Sequence, residues 1–416
     1  MKRMEKSMKI VEQLSDPGVW EEYRDYKVRA GHISSVDLET LEGYMKEQRY
    51  LPIVELVKRG ECFRPPRKKL INKLHKNKKR VVYLFDADEN AVLKLMTYLL
   101  LRKYDKIFAP SLYSFRGNIS VKTAITAFTT GRKTDSKYAY KADISNYFNS
   151  VDVEQLLMVL KQVLSEDAEI YDFISALLRS PFVYEEGKLI SEEKGIMAGC
   201  PLAAFLANVY LSDLDWYFYG QGILYGRYSD DIILFADSEQ EVKQYASHIR
   251  QTIGEKHLVI NPDKENFFEP HQPWNFLGMV YCDGVVDISP VSAEKLKQKM
   301  KRKSKALLRW KRAKGIDNEC AVKAFIRIFN QKLYDNPIET EMTWTRWYFP
   351  MINTTKTLEE LDHYMQDCIR YIATEKWNKG RFRYSYGEMK RMGYRSLVNA
   401  YYKGENGNKT LQNNAL

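Results

Sequence analysis

Cysteine is scarce in this 416-residue sequence, and its spacing argues against the common zinc modules. The five cysteines lie at positions 62, 200, 282, 320 and 368, and no two of them form a Cys-x-x-Cys pair. Zinc knuckles and ribbons are built on such pairs, so we do not expect one here. An odd, scattered set of thiols is typical of a reducing compartment, which predicts a cytoplasmic protein.

Long apolar segments are also missing. No stretch approaches the roughly 20 apolar residues that a membrane helix needs. The first six residues, Met-Lys-Arg-Met-Glu-Lys, are not followed by the apolar segment of a signal peptide. We therefore expect no membrane association. The sequence also contains no internal repeat, which argues against a solenoid or a propeller.

Positive charge, in contrast, is in excess. Lysine and arginine number 65 against 54 acidic residues, which gives a net charge of +11 and a pI of about 9.1. Such a balance indicates a polyanionic partner, either nucleic acid or an anionic membrane surface. A basic run covers residues 64–80, for which a solvated face is the alternative. Residues 295–314 carry eleven Lys or Arg and no acid, which predicts a basic helix.

Two adjacent acids, Asp230 and Asp231, follow Tyr228 and Ser229 inside the apolar, β-prone run 223–236. Ser-Asp between two such flanks predicts a tight hairpin with both carboxylates at its tip. Two close carboxylates repel each other unless a cation lies between them. Oxygen-only ligation of this kind suits Mg²⁺ or Mn²⁺. Taken alone, the motif leaves a solvated turn open as the alternative.

Other segments add candidates for chemistry. Residues 137–143 alternate and predict a strand that ends in Asp143. Arg116 lies in a short loop before a helix that begins near Ser120, which is a reasonable phosphate site. A loop with two glycines at 195–201 precedes a long amphipathic helix that contains Asn208. For this asparagine, a satisfied core amide is the alternative to a functional role.

Periodicity and turn residues give a coarse prediction of the remaining elements. Strands or turns are expected at 81–85, 185–188, 258–264 and 274–281. Helices are expected over most of 1–60 and over 88–103, 153–164, 168–179, 239–256 and about 319–376.

Taken in order, these blocks resemble the palm of a reverse transcriptase. The fingers block is matched at 114–116, and the primer-grip block at 276–278. Four palm motifs are matched between them, at 143–152, 195–211, 228–231 and 261–264. The resemblance covers about 75–285 and extends through thumb-like helices to about 400. Its style is similar to that of bacterial intron-encoded and retron enzymes.

The second palm motif departs from the family pattern. Met197-Ala198 stand where Pro-Gln is usual, and Ala203-Ala204 stand where Ser-Pro follows. The usual glutamine lies near the nascent base pair, so ordinary template handling is in doubt. These departures, with helical regions at both ends of the chain, resemble the bacterial defence-associated reverse transcriptases. Those enzymes act against phage and often copy a partner noncoding RNA.

The resemblance implies an α+β fold: a right-hand polymerase with fingers, a palm of antiparallel sheet plus helices, and a helical thumb. The expected divisions are an N-terminal helical extension at 1–63, fingers at 64–136, a palm at 137–288 with a fingers segment at about 153–200, a helical thumb and C-terminal region at 289–403, and a disordered tail at 404–416.

The resemblance also implies residue roles. Asp143 and Asp230 would hold two Mg²⁺ ions (or Mn²⁺) together with the backbone of Ile144, and Asp231 would support them. Phe148 would lie under the sugar and select dNTPs, whereas an RNA-dependent RNA polymerase more often has Asp there. Lys264 would protonate pyrophosphate, with an exposed turn lysine as the alternative. Further substrate contacts are implied for Arg116, Asn208 and Tyr228. Nucleic-acid contacts are implied for Lys79, Arg80, Phe276, Gly278, Lys301, Arg302 and Lys305.

The expected partners are an RNA template, taken to be a noncoding RNA, a DNA product and dNTPs. A homo-oligomer or an accessory defence protein is also considered. Three alternatives stay open at this stage: a mobile-element reverse transcriptase, a template-independent DNA polymerase, and a non-catalytic RNA-binding scaffold.

Overall fold

The computed structural model describes residues 8–30, 33–72, 79–117, 119–334, 343–377 and 384–404. The chain divides into two compact units. The first contains the described residues of 1–29, 35–128 and 136–272, and the second those of 30–34, 129–135 and 273–416. None of the helices in these ranges is both long and apolar enough for a membrane crossing.

The first unit mixes helices with two sheets. Its helices are α1 Ile10–Gln13, α2 Pro17–Arg29, α3 Ser35–Lys46, α4 Tyr50–Lys58, α5 Ala87–Lys103, α6 Val121–Thr129, α7 Tyr147–Ser150, α8 Val153–Val163, α9 Ala168–Arg179, α10 Ala203–Tyr210, α11 Ser212–Gly220 and α12 Glu239–Glu255. Its strands are β1 Arg67–Asn72, β2 Lys79–Leu84, β3 Tyr138–Asp143, β4 Phe182–Glu185, β5 Lys188–Ser191, β6 Leu224–Tyr228, β7 Asp231–Ala236 and β8 Asn266–Phe268. Short 3₁₀ turns cover Asp105–Ile107 and Pro262–Lys264.

One sheet of the first unit has the strand order β6-β7-β3-β8, with every neighbouring pair antiparallel. Its central strands are buried because their residues are almost all apolar: Ile232, Ile233 and Leu234 are fully buried in β7. The predicted hairpin at 223–236 and the strand that ends at Asp143 are both confirmed. They are neighbours in this sheet, so its end brings the acidic residues together.

The other sheet has the order β2-β1-β4-β5. Val183 and Tyr83 turn into the core, whereas Tyr184 and Leu189, directly opposite each other, remain exposed. Strands alternate their side chains between two faces, so one face of this sheet is open to solvent. The predicted turn at 185–188 is confirmed as the β4–β5 connection.

A buried carboxylate helps to hold the first amino-terminal helix, α1, against the rest of the first unit. Asp167 accepts a hydrogen bond from the backbone N–H of Ile10 at 2.9 Å and one from Lys103 Nζ at 2.7 Å. It also accepts the hydroxyl of Tyr104 at 2.5 Å. The side chain has no solvent exposure, so these partners compensate for the cost of burying its charge.

The prediction of one long amphipathic helix after Pro201 is wrong in two respects. The structure has two helices, α10 and α11, separated at Leu211. Ser212 donates its hydroxyl to the carbonyl of Val209 at 2.9 Å, and Asp213 accepts the N–H of Leu214, so local side-chain bonds compete with the helix. α10 is also buried on all sides rather than amphipathic.

The strand expected at 258–264 is reduced to a single bridge. Ile260 pairs with Ile144 in an isolated antiparallel bridge, and a 3₁₀ turn follows. Pro262 explains the change, because proline has no N–H to extend the pairing.

The second unit places a small antiparallel sheet before a set of helices. Its elements are β9 Trp274–Phe276, β10 Met279–Cys282, β11 Val285–Ile288, α13 Pro290–Lys314, α14 Asn318–Leu333, α15 Trp344–Tyr348, α16 Lys356–Thr374, α17 Tyr386–Arg391 and α18 Leu397–Lys403, with a 3₁₀ turn at Thr130–Arg132. The predicted strand pair at 274–281 and the basic helix are confirmed. The predicted tail from 405 onward lies outside the described residues.

Candidate active site

Three carboxylates meet at one end of the β6-β7-β3-β8 sheet. Asp143, the last residue of β3, is directly opposite Asp231, the first residue of β7. The N–H of Ile144 donates to the carbonyl of Asp230 at 3.0 Å. Two acidic residues of a hairpin are thereby held beside a third from a neighbouring strand.

The hairpin that carries two of these acids is as tight as the sequence predicts. Tyr228 and Asp231 are paired, so only Ser229 and Asp230 form the turn. Ser229 has a φ of 59°, in the left-handed region that serine seldom adopts. Non-glycine residues in such strained backbone conformations are concentrated at functional sites.

Mutual repulsion is visible in the acidity of Asp230. Burial, followed by the charges of Asp143 and Asp231, raises the pKa of its carboxyl to about 6. This cluster therefore has more negative charge than its own hydrogen bonds compensate for, and a cation would relieve the excess.

Lys264 supplies one such positive charge. Its Nζ donates to Asp143 Oδ1 at 2.7 Å, and the N–H of Asn261, three residues earlier, donates to the Asp143 carbonyl at 2.7 Å. Burial alone would lower the pKa of Lys264, but the bond to Asp143 and the nearby carboxylates raise it. Lys141 lies 3.8 Å from Asp231 on the same strand as Asp143. Although Lys264 is half exposed, it belongs to this cluster and is not a free turn lysine.

The donor set fits a hard divalent cation in its chemistry. Asp143, Asp230 and Asp231 offer oxygen atoms alone, which Mg²⁺ and Mn²⁺ prefer. The pairing of Asp143 with Asp231 brings these carboxylates to one end of the sheet, and after burial their charges contribute to the raised pKa of Asp230. In the described part of the chain, no three His, Cys, Asp or Glu side chains already converge as a ligand group. Lys264 donates to one oxygen of Asp143, so its ammonium competes with a cation for that oxygen.

Phe148 lies in α7, five residues after Asp143, and is half-buried. Its ring is 5.7 Å from that of Tyr147, whose hydroxyl donates to the Ala207 carbonyl at 2.6 Å. The Phe148 carbonyl accepts the N–H of Ile196 at 2.8 Å. The backbone of Phe148 is therefore anchored, while its side chain remains partly accessible.

Gly195 allows that anchoring, and we expect Gly195→Ala to be strongly destabilising. A Cβ at this position would lie 2.6 Å from the Phe148 carbonyl oxygen, and φ is +51°. We expect a loss of about 2 to 4 kcal/mol in the free energy of unfolding. The matched control is Gly187→Ala, where φ is +81° but nothing lies within 4 Å of the added Cβ. Denaturant unfolding of both variants separates the backbone cost from the clash, and equal losses would contradict the contact.

Arg116 has a different task from the predicted phosphate contact. Its guanidinium is paired with Asp105, through Nε at 2.7 Å and Nη2 at 2.9 Å. It also donates to the carbonyls of Ala109 and Leu112, at 2.9 and 3.4 Å, and the side chain is only 9% exposed. This arginine therefore holds the chain between Asp105 and the 114–116 loop.

Asn208 has the surroundings of a satisfied core amide, the alternative that the sequence left open. It has no solvent exposure. Its Nδ2 donates to the carbonyl of Ser114 at 2.9 Å, and its Oδ1 accepts the Ser114 hydroxyl at 3.0 Å. Tyr228, in contrast, is partly exposed, and its ring lies 6.3 Å from that of Phe115.

The nucleic-acid candidates are distributed over both units. Lys79 and Arg80 begin β2 and are exposed, on a different sheet from the carboxylates. In the second unit, Phe276 is fully buried, so its ring is part of the core in this structure. Gly278 has a φ of 85°, in the turn between β9 and β10. Lys301, Arg302 and Lys305 are exposed on α13.

The sequence analysis does not predict a buried ion pair that links the hairpin to α11. Arg227 of β6 and Asp215 of α11 have no solvent exposure, and two of their atoms, Nη2 and Oδ2, lie 2.5 Å apart. An arginine inside the otherwise apolar run 223–236 is the signal that could have revealed it. A charge in a buried strand requires an acidic partner.

Comparison with known proteins identifies the family. Residues 68–281, just over half of the chain, match the family described as reverse transcriptase (RNA-dependent DNA polymerase). No curated protein sequence is significantly similar to the chain.

Similar solved structures include two telomerases. The apo telomerase of Candida tropicalis, truncated from its C-terminal domain, is 14% identical over 54% of this chain, with a TM-score of 0.42. The telomerase of Candida albicans in complex with a TWJ fragment of telomeric RNA is 11% identical over 80% of this chain, with a TM-score of 0.42. The chain spans 55% and 63% of the lengths of these two proteins.

The expected α+β fold class of a right-hand polymerase is confirmed. Mostly antiparallel sheets and many helices make up the described residues, and the matched region contains the carboxylate cluster. The chain belongs to the reverse transcriptase family, the RNA-dependent DNA polymerases.

Proposed function

We propose that this chain synthesises DNA on an RNA template from dNTPs, by nucleotidyl transfer to a primer or protein hydroxyl. The observation that carries the proposal is the meeting of Asp143 with the Asp230-Asp231 hairpin, beside Lys264. Family membership alone is compatible with a palm that has lost its chemistry. Intact carboxylates, a strained turn and the raised pKa of Asp230 favour a working site.

In this proposal Asp143 and Asp230, with the backbone of Ile144, hold two Mg²⁺ ions (or Mn²⁺), and Asp231 supports them. When bound, the metal would make the attacking hydroxyl more acidic and stabilise the charge on the triphosphate. Lys264, released from Asp143, is placed to give a proton to the leaving pyrophosphate. A lysine ammonium is protonated at neutral pH, as that role requires.

Phe148 is proposed to exclude ribonucleotides by contact of its ring with the 2′-hydroxyl. We expect Phe148→Ala to improve ribonucleotide use, relative to dNTPs, by about 10- to 100-fold, the range that one removed steric contact allows. Phe148→Tyr keeps the ring and serves as the control. The measurement is kcat/KM for both nucleotide types on one primed template. Unchanged discrimination in Phe148→Ala would contradict the assignment.

The open face of the β2-β1-β4-β5 sheet is proposed as the path of the unpaired template, in the fingers of the molecule. Arg67, Leu84, Tyr184 and Leu189 lie opposite one another across the four strands, and all are exposed. Arg80 lies on the same face of β2. An aromatic ring among apolar and basic side chains suits base stacking with phosphate contact.

We further propose that the template is a noncoding RNA and that the activity serves antiphage defence, in a bacterial cytoplasm. The support is the resemblance to defence-associated enzymes in the second palm motif. Ala198, which replaces the usual glutamine, is buried. Its N–H donates to Asn149 Oδ1 at 2.7 Å, and its carbonyl accepts the N–H of Tyr83 at 2.8 Å. This loop therefore offers no amide side chain to a base pair.

The same observation favours a second candidate, template-independent DNA synthesis. A palm without the glutamine has one contact fewer with the nascent pair, so dependence on a template could be relaxed. The two candidates differ in whether the DNA product has an RNA counterpart.

The test is to isolate the protein from its native cells and to sequence the bound RNA and DNA together. One dominant structured RNA with complementary DNA is expected. DNA without an RNA counterpart would establish untemplated synthesis instead. The catalytic proposal would be overturned if the unmodified protein carried RNA without DNA, as the Asp230→Asn/Asp231→Asn double variant should. A broad set of RNAs with matching DNA would overturn the dedicated template.

A further inference from the structure

The hairpin that carries Asp230 and Asp231 contains a buried arginine, Arg227, with several hydrogen-bond partners. Arg227 directly precedes Tyr228 in β6 and is fully buried. Its Nε donates to Asp215 Oδ1 at 2.8 Å, and its Nη2 donates to Asp215 Oδ2 at 2.5 Å. Nη2 also reaches the carbonyl of Asn208 at 3.3 Å. The fork geometry of the guanidinium is used in full, which fixes its plane.

One arm of this guanidinium reaches the turn itself. Nη1 donates to the carbonyl of Ser229 at 3.2 Å. Ser229 is the residue with the left-handed φ of 59°, and it is itself buried. A strained conformation persists only when its surroundings hold it in place, and Arg227 provides that hold for the Ser229 carbonyl. From the other side, Ile144 holds the carbonyl of Asp230.

Asp215 in turn fixes the arginine. It lies on α11, and its Oδ1 also accepts the hydroxyl of Tyr225 at 2.9 Å. The backbone of Arg227 is held by the 110–113 segment: its N–H donates to Ser111 at 3.1 Å, and its carbonyl accepts from Tyr113 at 2.9 Å. The side chain and the backbone are both restrained, so the position of the Ser229 carbonyl follows from α11.

We propose that Arg227, oriented by Asp215, is a positioning residue that sets the Ser229 turn and thereby places Asp230 and Asp231 against Asp143. The inference rests on the proposed polymerase function and adds to it the element that aligns the acids. Neither residue touches the carboxylates, so both act through the backbone of the turn. A misplacement of about 1 Å at a reacting site can reduce the rate by about 100-fold, which is the scale expected here.

The first variant is Arg227→Lys. An ammonium keeps the charge beside Asp215, and with it the fold, but a single point donor cannot serve Asp215 and Ser229 together. We expect kcat for dNTP incorporation to fall by about 10- to 100-fold, with KM for dNTP within about threefold of the unmodified protein. We also expect faster hydrogen–deuterium exchange in the 224–236 peptide. An unchanged kcat would overturn the proposal.

The second variant replaces the whole polar group by apolar side chains of similar size: Asp215→Leu, Tyr225→Phe and Arg227→Met together. Removing every partner avoids an unpaired buried charge, and such replacements often leave stability unchanged. A folded triple variant with low kcat supports positioning, whereas a folded triple variant with full kcat would overturn it. If the triple variant does not fold, Arg227→Lys decides alone.

The control is Asp167→Asn, which weakens a buried ion pair with Lys103 elsewhere in the same unit. It should lower the melting temperature and leave kcat unchanged. A matching loss of kcat in this control would show that any loss of stability has the same effect, which would overturn a specific role.

Mn²⁺ affinity, measured by electron paramagnetic resonance, gives a readout that needs no activity. If the unmodified protein incorporates no dNTP, the proposed function fails. Weaker Mn²⁺ binding in Arg227→Lys than in Asp167→Asn then still supports positioning, and equal binding overturns it.

Discussion

Asp230→Asn should abolish nucleotide incorporation and, at the same time, make the metal-free protein more stable at pH 7. The asparagine removes one metal-binding carboxylate, so we expect a loss on the order of 10³-fold or more in kcat. It also removes a charge that burial and two neighbouring carboxylates disfavour. The expected gain is about 1 to 3 kcal/mol in the free energy of unfolding.

The pH dependence of this gain has a definite sign. The folded pKa of Asp230, about 6, lies above the ordinary value of 3.8, so the folded state binds the proton more tightly. The stability of the unmodified protein should therefore fall as the pH rises from about 4 to about 6, by an amount that Asp230→Asn removes. The variant and the unmodified protein should be equally stable near pH 4 and differ by a constant amount above pH 7.

The measurement is thermal or denaturant unfolding in EDTA across this pH range, together with primer extension in Mg²⁺. Asp237→Asn is the control, because it changes the same charge at the opposite end of β7, where the side chain is 81% exposed. It should alter neither quantity. Equal stability of Asp230→Asn and the unmodified protein at pH 7 would show that the carboxylates do not repel each other as described.

Replacing Lys301, Arg302 and Lys305 together by glutamine should weaken binding to an RNA–DNA duplex by on the order of 10²-fold at low salt. These side chains are exposed on α13, away from its buried residues Met300, Leu307 and Leu308. Within the described residues they form no ion pair, whereas Lys297 of the same helix is paired with Glu360 at 3.1 Å. Unpaired cations in a row are available to the phosphates of a duplex.

Salt dependence makes this prediction specific. Each lost phosphate contact reduces the slope of log affinity against log salt by about 0.9, so the triple variant should lose about 2 to 3 from its slope. The control replaces Lys58, Lys243 and Lys323 by glutamine. It removes the same net charge, but these lysines are paired on their own helices with Glu55, Glu239 and Glu319. Equal losses in both triple variants would indicate a general charge effect instead of a binding helix.

The hairpin at 223–236 could be predicted because its signals are local. Apolar, β-prone flanks, two turn residues and two acids all lie within a few residues of one another. The basic helix could be predicted for the same reason, since eleven cations without an acid leave little choice of environment. The meeting of Asp143 with Asp231 came from resemblance, because no local pattern pairs residues so far apart in sequence.

Partner choice is what the sequence did not reveal. Arg116 looks free for phosphate in its loop, yet Asp105, eleven residues earlier, takes its guanidinium. From the sequence, Asn208 was equally suited to a substrate contact or to the core. In the structure its amide is bonded to Ser114, 94 residues earlier. Arg227 and Asp215 find each other only when α11 packs on β6. The break at Leu211 likewise depends on which hydrogen bonds Ser212 and Asp213 select.

The buried carboxylate of Asp167 has a consequence for how the chain folds during synthesis. The backbone that it caps, at Ile10, lies 157 residues earlier in the sequence. The first two helices leave the ribosome long before Asp167 is made, and apolar residues such as Trp20 of α2 stay uncovered until then. A contact between residues so far apart in sequence slows folding, and apolar surface that can aggregate stays exposed until the contact forms. The amino-terminal helices should therefore be the last part of the first unit to become protected in pulse-labelled nascent chains, although they are made first.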